Sequence, residues 1–524
     1  MHRFLLLLLC SIVIGCMPSY DVIIRGGQVY DGIGNPVSAD IGIRNQRIAR
    51  ITSSLKGTAD LEIFADDLAV APGFIDLHAH LEPLPLYPDA KSHVMQGVTT
   101  AFGGPDGSSP FPIAAYLDSL GNEGVGLNVG YLIGHNTVRN HIMGLVNRDP
   151  THGELDSIKT LIRAAIDQGA FGVSTGLKYL PGTFAKTAEI IAIAKVASDQ
   201  GGIYTSHLRE EGLGLIDGVK EAIMIGRESG ITVVLTHHKV IGQPMWGASV
   251  QTLALVDSAR SEGIDVFMDQ YPYTASHTWL GVIIPPWALE GGPYDKFAER
   301  CSDVYLRDSI KAGIVHNIIN DRGGNDLRRI QFAKIDWKPE MTGKTLHDLV
   351  LAEGLEPTVE NGAEMVIEIQ LHRGANCIYH VMDDEDVERI MKHPLAMVAS
   401  DGRLTEFGNG HPHPRAYGTF PRVLGYYARE KRLLTLEEAI RKMTSLPAQV
   451  IGLDDRGIIA VGNWADITIF DPARIRDKAT FQDPHQYPSG IKYVIINGAL
   501  AVSDGSFEDI RAGMILRKQK TQKH

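Results

Sequence analysis

The sequence predicts an α/β protein: a (β/α)8 TIM barrel with a small β-sandwich domain built from both chain ends. Three observations predict it. Eight short apolar runs recur along the middle of the chain, around residues 73–80, 98–103, 126–133, 170–176, 202–207, 231–237, 264–269 and 395–401. Between them, the stretches 153–168, 186–200, 213–229 and 248–262 carry apolar residues at three- and four-residue spacing with few breakers, the mark of helices with one buried face. Both ends of the chain show short alternating runs broken by Gly and Asn, as in Asp21-Val22-Ile23-Ile24-Arg25-Gly26-Gly27 and Tyr493-Val494-Ile495-Ile496-Asn497-Gly498.

Residues 1–16 read as an export signal rather than as part of the fold. Arg3 precedes an apolar core, Phe4 to Leu9 and Ile12 to Ile14, that is too short to span a bilayer. It ends in Val13-Ile14-Gly15-Cys16, which resembles a bacterial lipobox. That resemblance implies a lipid-modified Cys16 and a place in the bacterial cell envelope, periplasmic or at the outer surface, with the membrane met only through the lipid. The alternative is an ordinary cleaved signal.

Residues 20–71 and 450–515 are predicted to form the small β domain, since Ala465-Asp466-Ile467-Thr468-Ile469-Phe470-Asp471 repeats the texture of the first segment. Residues 72–449 hold the barrel: alternating β and α segments make a parallel sheet, and eight of them close it. The interval from about 285 to 394 exceeds a normal crossover and predicts an inserted lid or subdomain, with Pro285-Pro286-Trp287 at its mouth.

With 44% apolar and 21% charged residues, the 524-residue chain can bury a large core without a disulfide framework. Cys301 and Cys377 either pair or stay buried thiols, and neither has ligand-like spacing. A formal charge of -12, with no aromatic-basic stripe and no zinc-finger spacing, argues against nucleic acid and for small-molecule chemistry.

That chemistry belongs at the strand ends. Side chains alternate along a strand, so Asp76, His78 and His80 all point into the barrel. Two imidazoles one strand repeat apart can share a divalent ion, with Asp76 below them to fix a tautomer. Alone, a His-x-His is a weak signal. Later runs end alike, however, in Tyr204-Thr205-Ser206-His207, Val234-Leu235-Thr236-His237 and Val398-Ala399-Ser400-Asp401. The C-terminal strand ends of such a barrel form its active-site rim. Four such endings are hard to explain as separate core groups, each of which would need its own buried partner.

Together with further segments, these residues resemble the amidohydrolase superfamily and, within it, the D-aminoacylases or N-acyl-D-amino-acid deacylases. The segments are Pro72 to His80, Gln96-Gly97-Val98-Thr99-Thr100, Gly134-His135-Asn136-Thr137-Val138-Arg139, Ser174-Thr175-Gly176-Leu177, Ser206-His207-Leu208-Arg209, His237-His238-Lys239, Tyr271-Pro272-Tyr273-Thr274, Ser400-Asp401-Gly402 and His413-Pro414-Arg415. The resemblance implies one or two zinc ions, held by His78 and His80 at one site and by His207 and His237 at the other. It makes Asp401 the catalytic acid/base and places His238 behind the ligands. Where the family usually has a cysteine ligand this chain has Asp106; Lys178 is either a competing, carboxylated bridge or a rim lysine that meets substrate or solvent.

The reaction implied is hydrolysis of the linear amide of N-acyl amino acids, D-configured by resemblance, to a carboxylate and a free amino acid. Arg415 and Lys239 are the expected cations for the substrate carboxylate. Tyr179, Tyr271 and His277 lie in stretches that line the same pocket in the family, with barrel-mouth packing the plainer role for His277. Two other readings stand beside this one. A cyclic amidase, dihydroorotase-like enzyme or dipeptidase would use the same metal scaffold, and a non-catalytic surface lipoprotein would have lost a ligand or Asp401.

Overall fold

A computed structural model of the chain describes residues 19–519. Cys16 and the apolar run before it lie outside the described residues. The barrel strands are Phe74–Asp76, Val98–Gly103, Asn128–Tyr131, Gly172–Gly176, Ile203–His207, Thr232–Leu235, Val266–Gln270 and Ala396–Val398. The first three form one parallel sheet, and Ile133–Gly134 carries the third strand onward to the remaining five in chain order. Closure comes from Gly402–Arg403 lying parallel to Ala79–His80, with Gly402 opposite Ala79. This last pairing sets Asp401, whose N–H donates to the carbonyl of His78, beside the His-x-His pair.

Outer helices His152–Asp167, Thr187–Asp199, Leu215–Ser229 and Ser249–Ser261 fall on the intervals read as helical. The first shows why. Thr151 and Glu154 cap each other's backbone at its start, and Ile158, Ile162, Ala165 and Ile166 form the buried stripe.

Both chain ends meet in the small β domain, one connected nine-stranded sheet. Ala69–Pro72 pairs antiparallel with Ile467–Phe470, so the last N-terminal strand is bonded to the first C-terminal one. Val22, Ile24, Ile41 and Ile63 share a buried cluster with Ile467, Ile469 and Ile495. A polar knot ties this domain to the barrel: buried Asp466 pairs with Arg456, accepts from Asn128 Nδ2 at 3.1 Å and from the Asn497 N–H at 2.8 Å. Since Asn128 opens the third barrel strand, the two units share one hydrogen-bonded base.

Between the seventh and eighth strands the chain builds a three-stranded antiparallel sheet from Ser276–Trp279, Ala375–Tyr379 and Ile330–Ile335, flanked by helices that include Val304–Asn317 and Val359–Leu371. It starts at Ser276, ahead of the long interval counted from about 285. Ser276–Trp279 is a strand because its partner lies some hundred residues later in sequence, a pairing that local pattern does not show. Cys301 and Cys377 are separate buried thiols.

Candidate metal centre

Six side chains from five places on the barrel rim converge. Their ligand-capable atoms fall into two groups, His78, His80, Asp106 and Asp401 in one and Asp106, His207 and His237 in the other. Asp106 belongs to both. Its Oδ2 lies 3.5 Å from His78 Nε2 and 3.7 Å from His80 Nε2, while its Oδ1 lies 3.3 Å from His237 Nε2 and 3.7 Å from His207 Nδ1. Asp401 Oδ1 stands 3.1 Å from His80 Nε2 and 3.6 Å from His78 Nε2.

Three of these residues have left-handed backbones: Asp106 at φ 54°, His237 at 37° and Asp401 at 48°. Such conformations cost about 1–3 kcal/mol each in residues with a Cβ and persist where the surroundings impose them. At Asp106 the surroundings are visible. Ser174 Oγ accepts from the Gly107 N–H at 3.1 Å and donates to the Gly104 carbonyl at 2.6 Å, clamping the Gly104-Pro105-Asp106-Gly107 turn to the fourth strand. A Cβ on Gly176 would meet the Asp106 carbonyl at 2.1 Å, so the fit tolerates only glycine there.

Behind the ligands stands a ring of carboxylates. Glu82 Oε1 is 3.3 Å from His80 Nδ1, Asp269 Oδ1 is 3.7 Å from His78 Nδ1, and Glu211 reaches His237 Nδ1 at 3.2 Å and His207 Nε2 at 3.6 Å. Carboxylates so placed orient an imidazole and make it a stronger ligand. They also decide its charge. Burial lowers His80, but Glu82 and Asp401 more than reverse this and hold it at about 10. At His237 burial and Lys239 are outweighed by Asp106 and Glu211, which bring it to about 9, whereas at His207 burial prevails and leaves it at about 4. Asp106, which burial alone would raise, is held well below the usual carboxylate range by His78 and His237.

The donor set fits a divalent ion. His78 Nε2 and Asp106 Oδ1, which face the centre, are buried without a hydrogen-bond partner, a costly state that a bound cation relieves. Imidazoles with carboxylates suit zinc. Because His80 and His237 titrate above neutrality they carry protons there without metal, and a bound ion displaces those protons. Metal affinity is therefore expected to rise with pH across the neutral range. Calorimetric titration of metal-free protein with Zn²⁺ in buffers of different ionisation enthalpy should show proton release, and equal heats in all buffers would contradict it.

Over the centre opens a cavity of about 890 Å³ lined by Tyr179, Lys239, Tyr271, His277, Arg322 and Arg415, among others. Arg415 faces the centre, with Nη1 2.8 Å from Asp401 Oδ2 and its guanidinium 4.7 Å above the Tyr271 ring. Lys239 is engaged within the protein: its Nζ donates to Glu211 at 2.5 Å and sits 2.7 Å from His237 Nδ1. Tyr179 packs its ring 4.5 Å from that of His207, and the His277 carbonyl accepts from Arg415 at 3.3 Å. His238 turns away toward Thr252 Oγ1, 2.9 Å off.

Two expectations need correcting. Lys178 Nζ is turned to Glu210, 2.9 Å away, and lies 3.6 Å from Asp321. A lysine bridge would have to reach between the two nitrogen pairs, the place that the Asp106 carboxylate occupies. Nor is Asp76 the partner of the His78 ring. It accepts from the Ser400 N–H at 2.9 Å, and the carboxylate at the ring is Asp269. Sequence reasoning also missed Glu82, Glu211 and Arg322. Glu82 continues the alternation of His78 and His80 and Glu211 lies four residues beyond His207, so each had a local signal; Arg322, inside the insertion, had none.

A closed parallel barrel with four histidines and two aspartates gathered at its C-terminal rim is the fold and site of a metal-dependent hydrolase. Residues 320–502 match the amidohydrolase family. The N-acyl-D-glutamate deacylase of Alcaligenes xylosoxydans xylosoxydans is 36% identical over 525 residues, covering 95% of this chain and 96% of the relative. The crystal structure of N-acyl-D-glutamate deacylase from Bordetella bronchiseptica, complexed with zinc and a phosphonate mimic of the tetrahedral intermediate, superposes with a TM-score of 0.80 at 34% identity, covering 96% of this chain and 100% of that one. A D-aminoacylase with a binuclear metal centre matches equally well, TM-score 0.80 at 33% identity over 95% of this chain and 100% of the other. The chain belongs to the D-aminoacylase, or N-acyl-D-amino-acid deacylase, family of amidohydrolases.

Proposed function

We propose that this protein is a zinc-dependent deacylase that hydrolyses the linear amide of N-acyl-D-amino acids, releasing a carboxylate and the free amino acid. The position of Asp401 carries this reading. One of its oxygens lies 3.1 Å from His80 Nε2 among the metal ligands, and the other lies 2.8 Å from Arg415, a buried cation at the cavity floor. A carboxylate there has the metal site on one side and a receptor for the substrate's carboxylate on the other. The deacylases among the relatives support the reaction class.

His78, His80, Asp106, His207 and His237 would hold the zinc. When bound, zinc lowers the pKa of a water to roughly 7 and polarises a carbonyl. Asp401 accepts the proton of the attacking water and delivers it to the departing nitrogen. Arg415 fixes the substrate carboxylate by charge-assisted hydrogen bonds, with Tyr271 beneath its guanidinium. Lys239, paired to Glu211, sets the charge behind His237 instead of meeting the substrate directly.

A panel of N-acetyl D- and L-amino acids, assayed with added Zn²⁺, tests the substrate class. Hydrolysis of the D series at least about 10²-fold faster than the L series is expected; a protein that cleaves the L series alone, or only cyclic amides, would be a different enzyme on the same scaffold.

Export with Cys16 as a lipid anchor is proposed on the strength of the N-terminal sequence. In a bacterial host the wild-type chain should fractionate with membranes and a Cys16→Ser variant should not. Equal partitioning of the two would reject the anchor.

A further inference from the structure

We propose that Arg322 is a second carboxylate receptor in the cavity, so that the preferred substrate is an N-acyl amino acid with one carboxylate besides the one on Arg415. The inference rests on the deacylase reading above and names the charge of its substrate.

Burying an arginine costs free energy unless its N–H groups find acceptors. Arg139 shows how this chain meets that demand in a structural position. It is wholly buried, and each of its three nitrogens donates: Nε to Glu189 at 3.1 Å, Nη1 to the Val146 carbonyl at 3.3 Å and Nη2 to the Arg148 carbonyl at 2.8 Å. Arg322 is 2% exposed and lines the cavity, yet its one hydrogen bond among the described residues runs from Nη1 to Ser276 Oγ at 3.1 Å. Its Nε is buried without an acceptor. The nearby carboxylates leave it so. Asp321 Oδ2 stands 3.5 Å from Nε outside hydrogen-bonding geometry, and Glu211 Oε2 stands 3.7 Å from Nη2, the other Glu211 oxygen already holding Lys239 at 2.5 Å. Burial works against the charge of Arg322, but Asp321 and Glu211 outweigh burial and keep the guanidinium ionised. A charged, buried fork with free donors at a cavity wall is a receptor for a carboxylate.

The fold is built to bring it there. A π-helical turn, Ile318–Arg322, continues the insertion's helix Val304–Asn317 and lies against the loops that follow the fifth and sixth barrel strands. Those loops make room for it through glycine: a Cβ on Gly242 would meet the Asn320 carbonyl at 2.5 Å, and one on Gly212 would meet Asp321 Oδ1 at 2.7 Å. Lys178, just after the fourth strand, faces Asp321 at 3.6 Å.

The two arginines are anchored side by side. Arg322 holds Ser276 Oγ and Arg415 donates to the carbonyl of His277, so consecutive residues of the strand Ser276–Trp279, their Cα atoms about 3.8 Å apart, fix both guanidinium groups. With the α-carboxylate on Arg415, a second carboxylate on the same molecule comes within reach of Arg322. It can belong to the amino acid's side chain, as in glutamate, or to the acyl group, as in an N-succinyl amino acid. Both present the same chemistry to the guanidinium.

Three substrates give the test in the zinc-loaded, full-length protein: N-acetyl-D-leucine with one carboxylate, N-acetyl-D-glutamate with a second in the side chain, and N-succinyl-D-leucine with a second in the acyl group. At least one dianion should surpass N-acetyl-D-leucine in kcat/KM by about 10–10²-fold, as a charge-assisted hydrogen-bonded pair provides, and the favoured one identifies the source of the carboxylate. Arg322→Met should bring the ratio of that dianion to N-acetyl-D-leucine close to one, chiefly through KM, whereas loss of a merely structural arginine would lower all three substrates together. Arg322→Lys, which keeps the charge without the fork, should restore part of the ratio. N-acetyl-D-leucine hydrolysed as well as both dianions, or a ratio unmoved by Arg322→Met, would overturn the receptor and leave the deacylase reading standing. If none of the three is hydrolysed the deacylase reading fails, and calorimetric binding of the same compounds decides the receptor by the same ratios. Circular dichroism and zinc content check the variants, and if Arg322→Met does not fold the wild-type ratio decides alone.

Discussion

Replacing Asp401 by Asn is expected to lower kcat roughly 10²–10⁴-fold, the usual worth of a general acid–base group, while zinc content stays at the wild-type level. The amide keeps the shape and one oxygen of the carboxylate but cannot take up the proton of the attacking water. His78, His80 and Asp106 remain to hold the ion on that side. Steady-state rates and elemental analysis of the same preparation separate the two effects. A near-normal kcat would remove Asp401 from the proton-transfer role, and loss of zinc in step with activity would make it a ligand first.

Arg415→Ala carries the second large effect. A charge-assisted hydrogen bond to a buried partner is worth about 1.5–3 kcal/mol. KM for N-acyl amino acids should therefore rise by about 10–10²-fold. A neutral amide lacking the carboxylate should feel no such rise. The variant should also shift the pH profile. Burial raises Asp401, but Arg415 and His78 together hold it far below the ordinary carboxylate range. Removing the guanidinium lets its pKa climb. Asp401 must be ionised to act as a base, so the acidic limb of kcat/KM should move to higher pH. Equal KM changes for acidic and neutral substrates, or an unmoved acidic limb, would show that Arg415 serves packing alone. The same contact implies a competition: a substrate carboxylate on Arg415 draws it from Asp401 and leaves a stronger base for the chemical step.

Much of this site was legible because each part ends an apolar run. His78, His80, His207, His237 and Asp401 all sit where a barrel strand gives way to its loop, and parity along one strand was enough to aim His78 and His80 inward. What parity does not carry is contact between strands. Asp76 shares the face of His78, yet its partner is Ser400 from the eighth strand, while Asp269 from the seventh comes up behind the His78 ring. The choice between Asp106 and Lys178 was likewise closed to local reading. Asp106 is aimed by Ser174, 70 residues from Gly104, and Lys178 is drawn off by Glu210 and Asp321 from two other segments. Arg322 shows the limit most plainly: its guanidinium is buried beside Glu211, 3.7 Å away, only because the insertion folds back over the rim.

The central claim is that these histidines and Asp106 hold the metal that makes the amide cleavable. Titrating metal-free protein with Zn²⁺, while following bound zinc and hydrolysis of an N-acetyl-D-amino acid in the same samples, tests it most directly. Deacylation should appear as zinc binds, disappear with a chelator, and be absent with zinc binding impaired in a His78→Ala, His237→Ala variant. Hydrolysis that persists in the metal-free protein, or zinc binding undiminished in that variant, would contradict it.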